Sequence, residues 1–218
     1  MRDLFRTVGA LINFAPRWNA APTDRLPVVR RNPETGEHAL DLLRWGLVPR
    51  WAKDLSGGAK CINARSETAA TSRMFADSFA KRRCLVPADA FYEWQKDGPN
   101  LEKGAKIPWA IGRADGSPLV FAGLWEGWRD PADGTIVRSY SILTTAANDV
   151  LRPVHDRMPV ILAPASWGLW LGDEPAAPER LQALLVPAAN EAVRRWRVGP
   201  RVGSVRNDDA QLLEPVEA

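Results

Sequence analysis

Short β-like runs, apolar or with polar residues interspersed, recur along the chain at 26–30, 40–48, 84–87, 90–94, 108–113, 119–128 and 136–145. Runs of this length between turn residues predict β-strands, with at least one face turned to a core. Three intervening segments carry turn chemistry: Asn32-Pro33-Glu34-Thr35-Gly36, Asp115-Gly116-Ser117 and Pro131-Ala132-Asp133-Gly134. These residue types supply the φ values and local hydrogen bonds of hairpin connections, so neighbouring strands are expected to be antiparallel. Apolar residues at three- and four-residue spacing mark 66–80, 165–171 and 179–185 as helices that would cover the sheet. The glycine-bearing stretches 54–59 and 97–106 read as surface loops. The pattern therefore predicts an α+β fold in one domain over 1–218, mainly antiparallel sheet with flanking helices.

Composition narrows the function. No stretch approaches the roughly 18 apolar residues of a membrane span, and Asp3, Arg6 and Arg17 interrupt the start, so a cytoplasmic protein without a membrane partner is expected. Cys61, Cys84, His38 and His155 show no metal-ligand spacing, and no phosphate-binding glycine motif is present, so neither metal nor cofactor is expected. A net charge of +3 permits an anionic partner without requiring one. The ten tryptophans against two tyrosines say more. Trp18, Trp45, Trp51, Trp94 and Trp128 lie beside Arg17, Arg44, Arg50, Gln95 and Arg129, an interleaving that suits stacking on unpaired bases and equally suits plain core packing.

Three islands carry chemistry. The first is Arg44-Trp45-Gly46-Leu47-Val48-Pro49 with Trp51, followed by Ile62-Asn63-Ala64-Arg65-Ser66-Glu67. The second is Cys84-Leu85-Val86-Pro87-Ala88-Asp89-Ala90-Phe91-Tyr92-Glu93-Trp94. The third is Pro153-Val154-His155-Asp156-Arg157-Met158-Pro159-Val160-Ile161-Leu162, shortly after Thr144-Thr145. Together, and in this order, they resemble the SOS-response-associated peptidase family from about Asn19 to Asp209. The resemblance implies a barrel-like core. It also implies a protein that binds single-stranded DNA and crosslinks covalently to the ring-opened aldehyde of an abasic site, after removing its own initiator methionine. A monomer is expected.

The matching positions for the family's catalytic asparagine, glutamate and histidine are Asn63, Glu93 and His155. An α-amine with a pKa near 8 is partly neutral at pH 7 and can attack an aldehyde, after which an adjacent thiol can close a thiazolidine ring. Asn63 would orient the amine and sugar, Glu93 would shuttle protons, and His155 would protonate the sugar oxygen. Arg65 would hold a phosphate beside Trp51 as a stacking face, with Trp45, Trp94, Thr144, Thr145 and Arg157 as further DNA contacts. On residue type alone, Asn63 serves as well to bridge a strand end, Glu93 to face solvent from an alternating strand, and His155 to hold local structure. Asp156 and Arg157 read either as a pair that shapes the site or as direct contacts.

One departure stands out. Family members begin with methionine followed by cysteine, whereas this chain begins Met1-Arg2-Asp3-Leu4-Phe5, so the nucleophile and a first strand are expected to be missing. Either the start lies upstream, or the chain is a crosslink-incompetent relative that binds single-stranded DNA without covalent chemistry. A cysteine hydrolase built on Cys84 and His155 is a further alternative. The apolar Leu85-Val86 run beside Cys84 argues instead for a buried, inert thiol.

Overall fold

The computed structural model describes residues 1–9, 12–96 and 104–217. The strands are β1 (Arg25–Arg31), β2 (His38–Trp45), β3 (Asn63–Arg65), β4 (Arg83–Ala88), β5 (Ala90–Gln95), β6 (Ile107–Arg113), β7 (Leu119–Arg129), β8 (Ile136–Ala146), β9 (Arg157–Pro159) and β10 (Val193–Arg197). The helices are short: α1 (Arg2–Phe5), α2 (Ser66–Ala69), α3 (Ala76–Lys81), α4 (Trp167–Leu171) and α5 (Pro178–Gln182).

Seven strands form one sheet in the order β2-β1-β4-β7-β8-β3, with β9 also on β8. A parallel pairing of β2 with β8, Arg44 to Ser139 and Trp45 to Tyr140, closes β2, β1, β4, β7 and β8 into a five-stranded barrel. The α+β class and the barrel-like core are as expected. Alternation decides which side chains go inside. Val28, Leu43, Cys84, Val86, Leu119, Phe121, Tyr140 and Ile142 fill the barrel. Val29, Leu85, Val120, Ala122, Leu124 and Leu143, their neighbours in sequence, point outward beneath Phe5, Phe79, Trp170 and Leu181 of the helices. Gly123, opposite Cys84, leaves the room this interior needs, because a Cβ there would sit 2.8 Å from Cys84 Sγ and 2.9 Å from Val86 Cγ2.

The second sheet is β10-β6-β5, antiparallel throughout. One of its faces packs Ile111 and Val193 against Ala147, Leu151 and Met158, and the other packs Ala110, Tyr92, Trp94 and Trp196 against Val198, Val202 and Leu212. Buried Asn19 fastens the C-terminal loop to this layer through hydrogen bonds from its amide to the carbonyls of Val202, Ser204 and Asn207, each 3.1 Å.

Several expectations are corrected. The turns at 32–36 and 131–134 do close hairpins, β1 with β2 and β7 with β8. Asp115-Gly116-Ser117 instead carries the chain from one sheet to the other, since β6 and β7 are not paired. Antiparallel pairing is also not universal, because β3 and β2 both run parallel to β8. The helix expected over 66–80 is broken between α2 and α3, where the Ser72 hydroxyl accepts a hydrogen bond from the Met74 amide and competes with helical pairing. Strand β2 stops at Trp45 rather than 48 because Gly46 turns at φ 115°. The loop expected at 97–106 falls largely outside the described residues.

Candidate functional site

Strand β8 is the platform on which the site is built. Arg65 of β3 and Pro159 of β9 are both direct partners of Thr144, so Arg65, Thr144 and Pro159 form one row across three strands, with Asn63 two residues from Arg65 on the same face. His155 enters from the turn just before β9, and Glu93 comes from β5 in the other sheet. These segments enclose a cavity of about 230 Å³ lined by Asn63, Arg65, Glu93, Thr144, His155, Arg157, Met158 and Pro159. Six of the ten residues expected at the site therefore meet in one place.

The polar geometry is well defined. Arg157 donates from Nη1 to Glu67 Oε1 at 2.6 Å and from Nη2 to Glu67 Oε2 at 2.9 Å, and Nη2 also reaches the Thr144 carbonyl at 2.6 Å. That grip holds the Glu67 carboxyl down at a pKa of about 2. His155 Nδ1 is held at the Arg157 backbone, 3.0 Å from its amide nitrogen and 3.2 Å from its carbonyl oxygen. Burial pushes the Glu93 carboxyl above the ordinary range, against the opposing pull of the nearby His155 and a hydrogen bond from the Trp94 amide. Glu93 is thus a carboxyl that keeps its proton more readily than usual, beside an imidazole that can exchange one.

Of the two readings of Asp156 and Arg157, the mutual pair is not found. Asp156 is 87% exposed and lies 3.3 Å from His155 Nδ1, while Arg157 takes Glu67. Glu67 was not singled out by sequence reasoning, and its only signal was its place in the Asn63-Ala64-Arg65-Ser66-Glu67 run. Four expected contacts lie outside the cavity lining: Trp45, Trp51, Trp94 and Thr145. Trp45 packs on the barrel interior and donates Nε1 to the Ile62 carbonyl at 3.0 Å. Trp94 packs on Val198 and Val202, and Thr145 is buried. Trp18 packs in the same cluster as Trp94, and Trp128 is buried with its Nε1 on the Ala52 carbonyl. Trp51 alone among these five tryptophans is exposed, at 53%, with the Arg73 guanidinium 5.0 Å over its ring.

Cys84 is fully buried inside the barrel, where burial drives its thiol pKa far upward, and it does not line the cavity, so a Cys84–His155 dyad is excluded. The lining carries an amide, a carboxyl, an imidazole and two guanidinium groups, but no amine or thiol. Among the described residues no helix is long and apolar enough to cross a membrane.

The chain is similar to known proteins along most of its length. The family model described as SOS response associated peptidase matches residues 2–205. The chain is 36% identical over 201 residues to the Bacillus subtilis abasic site processing protein YoqW, covering 92% of this chain and 87% of the relative. It is 34% identical over 202 residues to the Escherichia coli abasic site processing protein YedK, covering 92% and 85%. A solved Bordetella bronchiseptica protein, 32% identical, superposes with a TM-score of 0.71 over 91% of this chain and 94% of that one. A Bacteroides thetaiotaomicron structure, at 24% identity and TM-score 0.77 over 89% and 82%, shares the fold.

Proposed function

Because the chain belongs to the SOS response associated peptidase family, we propose that it is an abasic-site processing protein that binds single-stranded DNA with the damaged sugar in the cavity. The observation that carries this reading is the convergence of Asn63, Glu93 and His155, from separate strands and a turn, onto one cavity flanked by Arg65 and Arg157. Two guanidinium groups beside a carboxyl, an amide and an imidazole suit a phosphodiester that brings a reactive sugar.

In this reading Arg65 holds a phosphate, and Arg157, aligned by Glu67, frames the sugar. The open-chain aldehyde accepts an amine to give a carbinolamine. Loss of water from that adduct needs a proton delivered to the hydroxyl and another removed from nitrogen. Glu93, with its raised proton affinity, fits the first task, and His155 fits protonation of the sugar oxygen as the ring opens. Asn63 orients the reactants through its amide. The attacking amine and the thiol that closes the ring belong to an N-terminal cysteine, which removal of an initiator methionine exposes.

A second reading, a module that binds single-stranded DNA without covalent chemistry, rests on the same two guanidinium groups, which suit a phosphodiester whether or not a covalent bond follows. The two separate when the chain as given, and a form extended to a Met-Cys start, are incubated with abasic single-stranded DNA and resolved on a denaturing gel. An adduct from the extended form alone supports the covalent mechanism. Non-covalent binding by both with no adduct supports the second reading, and no binding by either removes both.

A further inference from the structure

The face of the second sheet that carries Glu93 continues beyond the cavity. Glu93 on β5 is the direct partner of Trp109 on β6, and Trp109 is the direct partner of Arg197 on β10, so the three stand in one row on one face. Arg195 lies two residues from Arg197 and therefore on that face too, with its guanidinium 4.6 Å over the Trp109 ring. The indole is also held at its edge by a hydrogen bond from Nε1 to Gln95 Oε1 at 3.1 Å.

Both arginines are half-buried, and Arg195 Nη1 and Arg197 Nε are buried with no hydrogen-bond partner. Neither arginine forms an ion pair among the described residues, in contrast to Arg157 on Glu67 or Arg201 on Asp209. Arg195 is thus held by stacking on Trp109 and Arg197 by its place in the strand, with no acidic partner for either among the described residues. Buried donors left unpaired are destabilising, a poor arrangement for a purely structural pair.

We infer that Trp109, Arg195 and Arg197 form a second contact zone, which binds the sugar–phosphate backbone of the DNA strand flanking the abasic nucleotide. Adjacent strands are ~4.8 Å apart, so Arg197 lies ~10 Å across the sheet from Glu93. That is about three nucleotides of stacked strand at ~3.4 Å each. Arg195 and Arg197 supply the charge for phosphate oxygens, and Trp109 supplies a rigid base against which Arg195 is held.

The inference rests on the DNA-binding reading, and its test separates the two. Affinities for abasic single-stranded DNA are measured by fluorescence anisotropy between 50 and 200 mM salt. The oligonucleotides are a trinucleotide and an eleven-mer, each with a central abasic site. The proteins are the unmodified chain, Arg195→Gln with Arg197→Gln, and Arg195→Lys with Arg197→Lys. Each phosphate contact on a single strand adds about −0.7 to the slope of log affinity against log salt, so the glutamine pair is expected to lessen the eleven-mer slope by about 1.4. Over that fourfold salt range the unmodified chain then loses about sevenfold more affinity than the glutamine variant. The trinucleotide should bind all three proteins alike, and the lysine pair should keep the full slope. A glutamine variant with unchanged slope on the eleven-mer, or a lysine variant that loses as much slope as the glutamine one, overturns the contact zone while abasic binding stands. Absence of abasic binding by the unmodified chain overturns both readings.

Discussion

Arg157 clasps Glu67 with both terminal nitrogens, at 2.6 and 2.9 Å, joining β9 to the first turn of α2 across 90 positions of sequence. Arg157 lines the cavity and Glu67 does not, so the side chain that frames the proposed sugar site is oriented by a carboxylate outside the lining.

The clasp has a pH signature. Glu67 is depressed to about 2 from the ordinary carboxylate range, so its contribution to stability is complete above its unfolded pKa and is lost as pH falls toward 2. Glu67 is 52% exposed, so screening limits the effect to under about 1 kcal/mol. The thermal midpoint of Glu67→Gln should lie below that of the unmodified protein by a constant margin from pH 5 to 8, and the two curves should meet near pH 2.

Glu93 works in the opposite direction. Its raised pKa means that the folded state favours the protonated acid, so its stabilising effect is full below the unfolded pKa and disappears as pH rises through the folded value. Above that value a half-buried carboxylate burdens the fold. Glu93→Gln should therefore raise the thermal midpoint at pH 8 and leave it unchanged near pH 4. In a form carrying the N-terminal cysteine the same variant should slow adduct formation by about 10²–10⁴-fold with little change in DNA affinity, as single-turnover gels would show.

Cys84 should be silent in function and costly to polarise. It is sealed in the barrel beneath Gly123, so Cys84→Ala should keep abasic-DNA affinity, whereas Cys84→Ser buries a hydroxyl among apolar neighbours at a cost of roughly 1–3 kcal/mol. Urea titrations of the two variants, alongside anisotropy, check both halves.

Much of this was readable in the sequence, and what was not has identifiable physical causes. The long alternating strands and the hairpins at 32–36 and 131–134 are local features and were legible. The three-residue strands β3 and β9 were not, because they exist only through pairing with β8 and carry too few positions to show a period. Barrel closure was invisible in the residues themselves, since β2 meets β8 in parallel across some ninety intervening positions. The turn at 115–117 misled because its chemistry reports a reversal but not which sheet the next strand joins. At the site, family motifs point to Asn63, Glu93 and His155, while Glu67 carries no signal beyond its run, and that Arg157 pairs with Glu67 rather than Asp156 shows only in three dimensions.

Asn19 offers a test of the frame that carries Glu93. Its amide nitrogen serves three carbonyls of the 202–207 loop, so Asn19→Ala leaves buried acceptors unmet and should cost about 1–3 kcal/mol in chemical denaturation. The loss should be smaller for Asn19→Asp at low pH, where a protonated carboxyl restores one donor.

The most direct measurement compares binding of this chain to two single-stranded oligonucleotides that differ only in whether one central nucleotide lacks its base, with Arg65→Ala as the paired variant. The account predicts tighter binding to the abasic strand, lost in large part when Arg65 is removed from the cavity wall. Equal affinity for both strands, unaffected by Arg65→Ala, would contradict it.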